Sequence, residues 1–193
     1  CLSGKNPRTS ISLLRNQLFV ALLQRTAHPA TRTGTMDYIS TRGSAPALEF
    51  EEATLAGLAS DGGLYVPDHL PSLDTAWFAP SDSLAQTGGR VFEPFFADDA
   101  LKSKLAKICA NALNFPVPLK FLPDSNHTAV LELFHGPTAA FKDIGARFLA
   151  ECFSAMPSEK IRTILVATSG DTGAAVASAF HQKPGIQVAI LFP

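Results

Sequence analysis

The stretch that most restricts the fold is Ile161 to Phe192, where two apolar runs flank a segment of small residues. Ile161–Ala167 is interrupted only by Arg162 and Thr163, and Ile186–Phe192 only by Gln187. Short apolar runs without polar alternation fit strands buried on both faces, as in a parallel sheet. Between them, Gly173–Gln182 predicts a small-residue helix that Pro184-Gly185 ends. Strand, loop, helix, strand is a βαβ unit, so the chain is read as α/β, with a parallel sheet and helical layers. So few parallel strands make an incomplete sheet, and the 193 residues are therefore expected to be the N-terminal part of a longer protein.

The upstream pattern is more mixed. Tyr38–Thr41 reads as a strand, and Glu49–Ser60 as an amphipathic helix stopped by Asp61-Gly62-Gly63. Leu64–Val66 is a brief extended piece. Ser81–Ser83 can cap a helix running toward Phe96, although Gly88-Gly89 weakens it. Asp98-Asp99 can cap a helix over Ala100–Leu113. Leu119–Leu122 and Ala129–Phe134 then read as strands joined by a polar turn at Asp124–Asn126, and Ala139–Ala155 as a helix.

Charge separates off the first residues. Residues 1–36 hold five basic residues and no acid, whereas 37–193 carry 11 basic and 17 acidic residues. The basic, Ser/Thr-rich opening resembles an organelle transit peptide. A non-native extension is preferred, because Met36 opens the patterned sequence, and 1–35 is set apart from the fold. The net charge of −1 does not suggest nucleic acid or a membrane as partner. No apolar run approaches the roughly 18 residues of a membrane span. The three cysteines, Cys1, Cys109 and Cys152, lack metal-ligand spacing, so no metal is expected, and so sparse a set fits the cytoplasm.

Two stretches can carry chemistry. In Leu131–Phe148, LELFHGPTAAFKDIGARF, Lys142 sits where a strand hands over to a helix, among apolar and small residues. An amine partly desolvated near a helix N-terminus is easier to keep neutral, and a neutral amine attacks an aldehyde. In Ala167-Thr-Ser-Gly-Asp-Thr-Gly173, a strand-to-helix turn offers N–H groups and hydroxyls to an anion. Thr168, Ser169 and Thr172 are candidates to hold a carboxylate or phosphate. A simple capped helix start, with Ser169 or Asp171 as cap, explains the same residues. The turn is neither a GxxxxGK[ST] loop nor GxSxG. Its Asp171-Thr172-Gly173 matches the aspartic-protease triplet, but a helix-forming Ala174–Ala177 follows it. A reactive lysine together with an anion-holding turn is what pyridoxal phosphate chemistry on an amino acid needs.

Met36–Gly43, Leu55–Pro67, Glu132–Thr138, Ala140–Asp143 and Ala167–Ala174 together resemble the threonine synthases of bacteria and fungi. The blocks run in the family's order and span 36–193. The resemblance implies a fold type II pyridoxal-phosphate enzyme, similar to the tryptophan synthase β chain. Residues 36–118 would be the family's N-terminal region, and 119–193 the start of the cofactor-binding α/β region. The implied reaction converts O-phospho-L-homoserine and water to L-threonine and phosphate. Lys142 falls on the lysine that carries the cofactor and moves protons. Asp171 falls at the cofactor ring, where many relatives have Asn. Thr168, Ser169, Gly170 and Thr172 fall on the substrate-facing loop. The loop for the cofactor phosphate and the partner of the pyridine nitrogen have no counterpart in these residues, so the 193 residues alone are expected to be inactive. Two other readings share the lysine and the turn. One is another fold type II lyase such as a threonine dehydratase or a cysteine synthase. The other is a non-catalytic relative that binds a phosphorylated ligand.

Overall fold

The computed structural model describes residues 36–79, 81–97, 99–123, 127–168 and 170–192. They divide into two compact units. One takes the described residues as far as Ser83 with Thr87–Leu105, the other Leu84–Gln86 with those from Ala106 onward.

In the first unit, β1 (Tyr38–Ser40) pairs antiparallel with β2 (Tyr65–Pro67). Helix α1 (Phe50–Ala56) lies between them in sequence. The expected helix was longer. It stops because Gly57 takes φ 69° at its C-terminus, a conformation in which most side chains are strained. The Asp61–Gly63 turn instead closes a bridge between Leu58 and Leu64. Asp61 organises that turn. Its carboxylate accepts from the Ser40 hydroxyl at 2.7 Å, and from the N–H groups of Gly63, Ser44 and Ala45 at 2.9–3.0 Å. These donors, the Ser40 hydroxyl first, lower its pKa to about 2.

Met36, Tyr38 and Ala53 form the core here, with Leu48, Phe50, Tyr65 and Phe95 around them. The Tyr38 hydroxyl donates to the Phe95 carbonyl at 3.0 Å. Burial, reinforced by the Asp99 charge, pushes its pKa up. Glu49, at the start of α1, offers no side-chain cap. Asp99, buried and distant in sequence, does this from outside: it accepts from the Glu51 N–H at 2.8 Å and from the Leu101 N–H at 2.7 Å. Asp98, the other expected cap, lies outside the described residues.

Helix α2 (Leu84–Phe92) runs into a 3-10 turn at Glu93–Phe96. A 3-10 turn at Lys102–Lys104 leads into α3 (Leu105–Ala112). In the second unit, β3 (Leu119–Phe121) and β4 (Ala129–Leu131) form an antiparallel pair, and β4 ends before the expected Phe134. Helix α4 (Lys142–Ala155) follows, then β5 (Arg162–Ala167), α5 (Asp171–Phe180) and β6 (Ile186–Leu191). β5 and β6 pair in parallel, from Arg162↔Ile186 to Ala167↔Leu191, so the expected βαβ unit is present.

Two arginines tie this unit together at helix ends, where backbone carbonyls lack partners. Arg147 of α4 donates to the Ala112 and Asn111 carbonyls at the end of α3, at 2.8 and 2.7 Å. Arg162 at the start of β5 donates to the carbonyls of Phe153, Met156 and Pro157 at the end of α4. One face of the strand pair is covered by both helices: Ile164, Ile186 and Val188 pack with Ala146, Ala150 and Phe153 of α4 and with Val176, Ala179 and Phe180 of α5. The Phe153 and Phe180 rings meet edge to face at 6.1 Å, and Glu151 pairs with Lys183 just beyond them. The C-terminal ends of α4 and α5 are therefore together, and the helices run the same way.

Candidate functional site

That parallel run fixes where the helix starts lie. From Phe153 back to Lys142 is about 16 Å of helix, and from Phe180 back to Asp171 about 14 Å, at 1.5 Å per residue. Packed helices sit about 8–10 Å apart at their contact, so both helices start from the same end of the layer. They lie at the carboxyl ends of β5 and β6, the usual ligand position in an open α/β sheet. Lys142 and the Thr168–Thr172 turn, some 30 residues apart in the chain, thus share one end of the layer.

Lys142 is the first residue of α4, where the expectation placed the helix start three residues earlier. It is half-buried, and its Nζ stands 4.8 Å from the centroid of the exposed Phe141 ring. Among the described residues no carboxylate pairs with it. A cation at a helix N-terminus has the sign that the peptide dipoles disfavour, so stabilising the helix is not what this lysine does.

Its neighbour Asp143 is fully buried. Asp143 Oδ2 accepts from the Thr138 N–H at 2.8 Å and Oδ1 from the Thr138 hydroxyl at 2.7 Å. Gly136 is pressed against the same carboxylate, since a Cβ built there would lie 2.5 Å from Oδ2. Ala139, inside the bracketed loop, holds φ at 55°, a left-handed conformation that costs a non-glycine residue roughly 1–2 kcal/mol. Just before the loop, His135 Nε2 pairs with Glu132 Oε2 at 2.7 Å. The sequence reading assigned no role to Asp143, Thr138, Gly136, His135 or Glu132.

The second turn is more open. Asp171 and Thr172 are the first residues of α5, not loop residues as expected, and Gly170 precedes them without any side-chain cap. Among the described residues no acceptor is recorded for the Asp171 and Thr172 N–H groups. Gly170 and Asp171 are exposed, and Thr168 and Thr172 half-buried. Nothing stands within 4 Å of a Cβ built on Gly170. Ser169 lies outside the described residues. Gly173 packs tightly: its built Cβ would stand 2.7 Å from Thr168 Cγ2 and 3.2 Å from Ile190 Cγ2. Among the described residues no cluster of His, Cys, Asp and Glu could hold a metal ion, and no helix is long and apolar enough to cross a membrane.

A family model described as threonine synthase N terminus matches residues 37–113. The threonine synthase of Haemophilus influenzae is 39% identical over 76% of this chain and 34% of its own length. That of Pseudomonas aeruginosa is 39% identical over 82% of this chain and 35% of its own. A crystal structure of threonine synthase from Brucella melitensis with PLP bound superposes with a TM-score of 0.74, at 37% identity, over 82% of this chain and 36% of that one. The chain belongs to the threonine synthase family. It spans about a third of the length of the relatives it matches. The likeness to solved threonine synthases bears out the expected fold class.

Proposed function

We propose that the protein carries out the threonine synthase reaction, converting O-phospho-L-homoserine and water to L-threonine and phosphate with pyridoxal 5'-phosphate. The observation that supports this reading is that Lys142 and Asp171 begin two helices covering one face of the parallel β5–β6 pair. The family likeness supports it.

The residues present fit the cofactor. Among the described residues the Lys142 amine has no carboxylate partner, and the turn before α5 offers amides and half-buried hydroxyls, which suits an aldehyde attached to the one and an acid group held by the other. When bound, pyridoxal phosphate supplies an electron sink for bond changes in the amino acid. In this reading Lys142 holds it, and Nζ takes and returns protons. Thr168, Ser169, Gly170 and Thr172 orient the substrate carboxylate, and Asp171 lies toward the cofactor ring. The partner is a small molecule and the compartment the cytoplasm.

The test is release of phosphate and L-threonine from O-phosphohomoserine by the protein expressed from its full gene. Turnover that falls to background in Lys142→Ala supports the reading. Turnover unaffected by that change, or none in the unaltered protein, overturns it.

A further inference from the structure

We infer that Asp143 is a positioning residue for Lys142, acting through the Gly136–Phe141 loop. The inference rests on the reading that Lys142 carries the cofactor. A carboxylate next to a lysine in sequence invites the role of counter-ion, but the geometry excludes it. Asp143 has no exposed surface, it forms no ion pair with Lys142, and both its oxygens are taken by Thr138. It turns away from the lysine and holds the chain that leads up to it.

That hold is needed because α4 begins poorly. Phe141, at the N-cap, is exposed and makes no side-chain cap bond. The nearest backbone bonds are the Asp143 N–H to Ala140 at 3.0 Å and the Ile144 N–H to Phe141 at 3.3 Å. Ala139 sits in a left-handed conformation that an unrestrained chain would leave. The carboxylate sits in the first turn of the helix, where the peptide dipoles favour a negative charge, and it reaches back to fix both the amide and the hydroxyl of Thr138. Gly136 is flattened against it because no side chain fits there. Lys142 is the residue between this bracket and the body of α4. A flexible four-carbon stem reaches a fixed point reproducibly only from a fixed Cα.

The experiment uses the protein expressed from its full gene, incubated with pyridoxal phosphate and reduced with borohydride. Peptide mapping then gives the rate of labelling at Lys142 relative to the exposed Lys160. Loss of position is expected to lower the Lys142 rate roughly 10- to 100-fold in Asp143→Ala, with Lys160 unchanged. Asp143→Asn is expected to recover most of it, since an amide can accept from the Thr138 N–H and donate to its hydroxyl. Thr138→Val, which removes only the hydroxyl bond, gives a partial loss and serves if Asp143→Ala does not fold. Labelling of Lys142 at the unaltered rate in Thr138→Val and Asp143→Ala overturns the inference, as does a loss in Asp143→Asn as large as in Asp143→Ala. Failure of the unaltered protein to label Lys142 above Lys160 overturns the cofactor reading itself, and the inference with it.

Discussion

Gly173 and Gly145 look alike in sequence, each a glycine inside a helix, and the structure assigns their replacement by alanine opposite signs. At Gly145, in α4, a Cβ would meet nothing within 4 Å. Gly145→Ala should therefore gain the full helix-propensity difference, about 1 kcal/mol. At Gly173 the same methyl would stand 2.7 Å from Thr168 Cγ2 and 3.2 Å from Ile190 Cγ2. Carbon atoms prefer about 3.5–4.0 Å. Both neighbours are β-branched and stiff at χ1, so relief requires the backbone of α5 to lift off the strand ends. Overpacking of this kind costs about 1–3 kcal/mol. With rigid neighbours we take the upper part of that range, and after the propensity gain Gly173→Ala should be destabilised by about 1–2 kcal/mol. The two variants should thus differ by about 2–3 kcal/mol. Urea unfolding with an unchanged m-value measures this directly. Equal midpoints for Gly173→Ala and Gly145→Ala would mean that the first turn of α5 does not rest on Thr168 and Ile190, and the seat of the candidate site would have to be redrawn.

Other outcomes follow from single contacts. Arg162→Met removes the three bonds to carbonyls at the end of α4 and should lower stability by about 2 kcal/mol, measurable in the same unfolding experiment. Asp61, whose folded pKa of about 2 is depressed by the Ser40 hydroxyl and three amides, contributes stability that is present above its unfolded pKa of about 3.9. That contribution is lost as pH falls from about 4 to about 2; an acid titration of unfolding should show it, and Asp61→Asn should flatten that part of the curve. Burial pushes the Cys109 thiol up to about 11, which favours the folded state below the ordinary thiol pKa of about 8.5 and loses that advantage toward pH 11. Alkylation at pH 8 should accordingly leave Cys109 unmodified until denaturant is added; rapid labelling in the native state would contradict its burial.

The βαβ unit was legible because parallel strands leave long apolar runs, and the small residues of α5 mark a helix pressed close to a sheet. The expected burial of both strand faces is not met, since among the described residues only one face of β5 and β6 is covered and Leu165 and Leu191 are exposed. Lys142 was legible as a lysine in the wrong company. The bracket beneath it was not. Asp143 follows a lysine at a helix start, which in sequence looks like a solvated charged face. Its burial depends on Gly136 and Thr138 folding back, a non-local fit that periodicity does not encode. Ala139 hides the start of α4 for a similar reason: alanine favours a helix, yet the bracket holds it left-handed. The end of α1 is written in the sequence at Gly57, but the Asp-Gly-Gly that begins four residues further on is the louder stop signal. Asp99 reads as a cap for its own segment, and only the packed structure shows it also completing a helix nearly 50 residues earlier.

The parallel course of α4 and α5 has an electrostatic result. Each helix start presents roughly half a positive elementary charge, and here two of them face the same end of the layer. Their sum approaches one full positive charge, and the carboxylates of Asp143 and Asp171, each in the first turn of its helix, offset it. With the exposed Asp171 carboxylate removed, a substrate bearing both a carboxylate and a phosphate would be drawn toward Lys142 by this field before it touched a single side chain. Added salt should therefore slow its capture more in Asp171→Asn than in the unaltered protein.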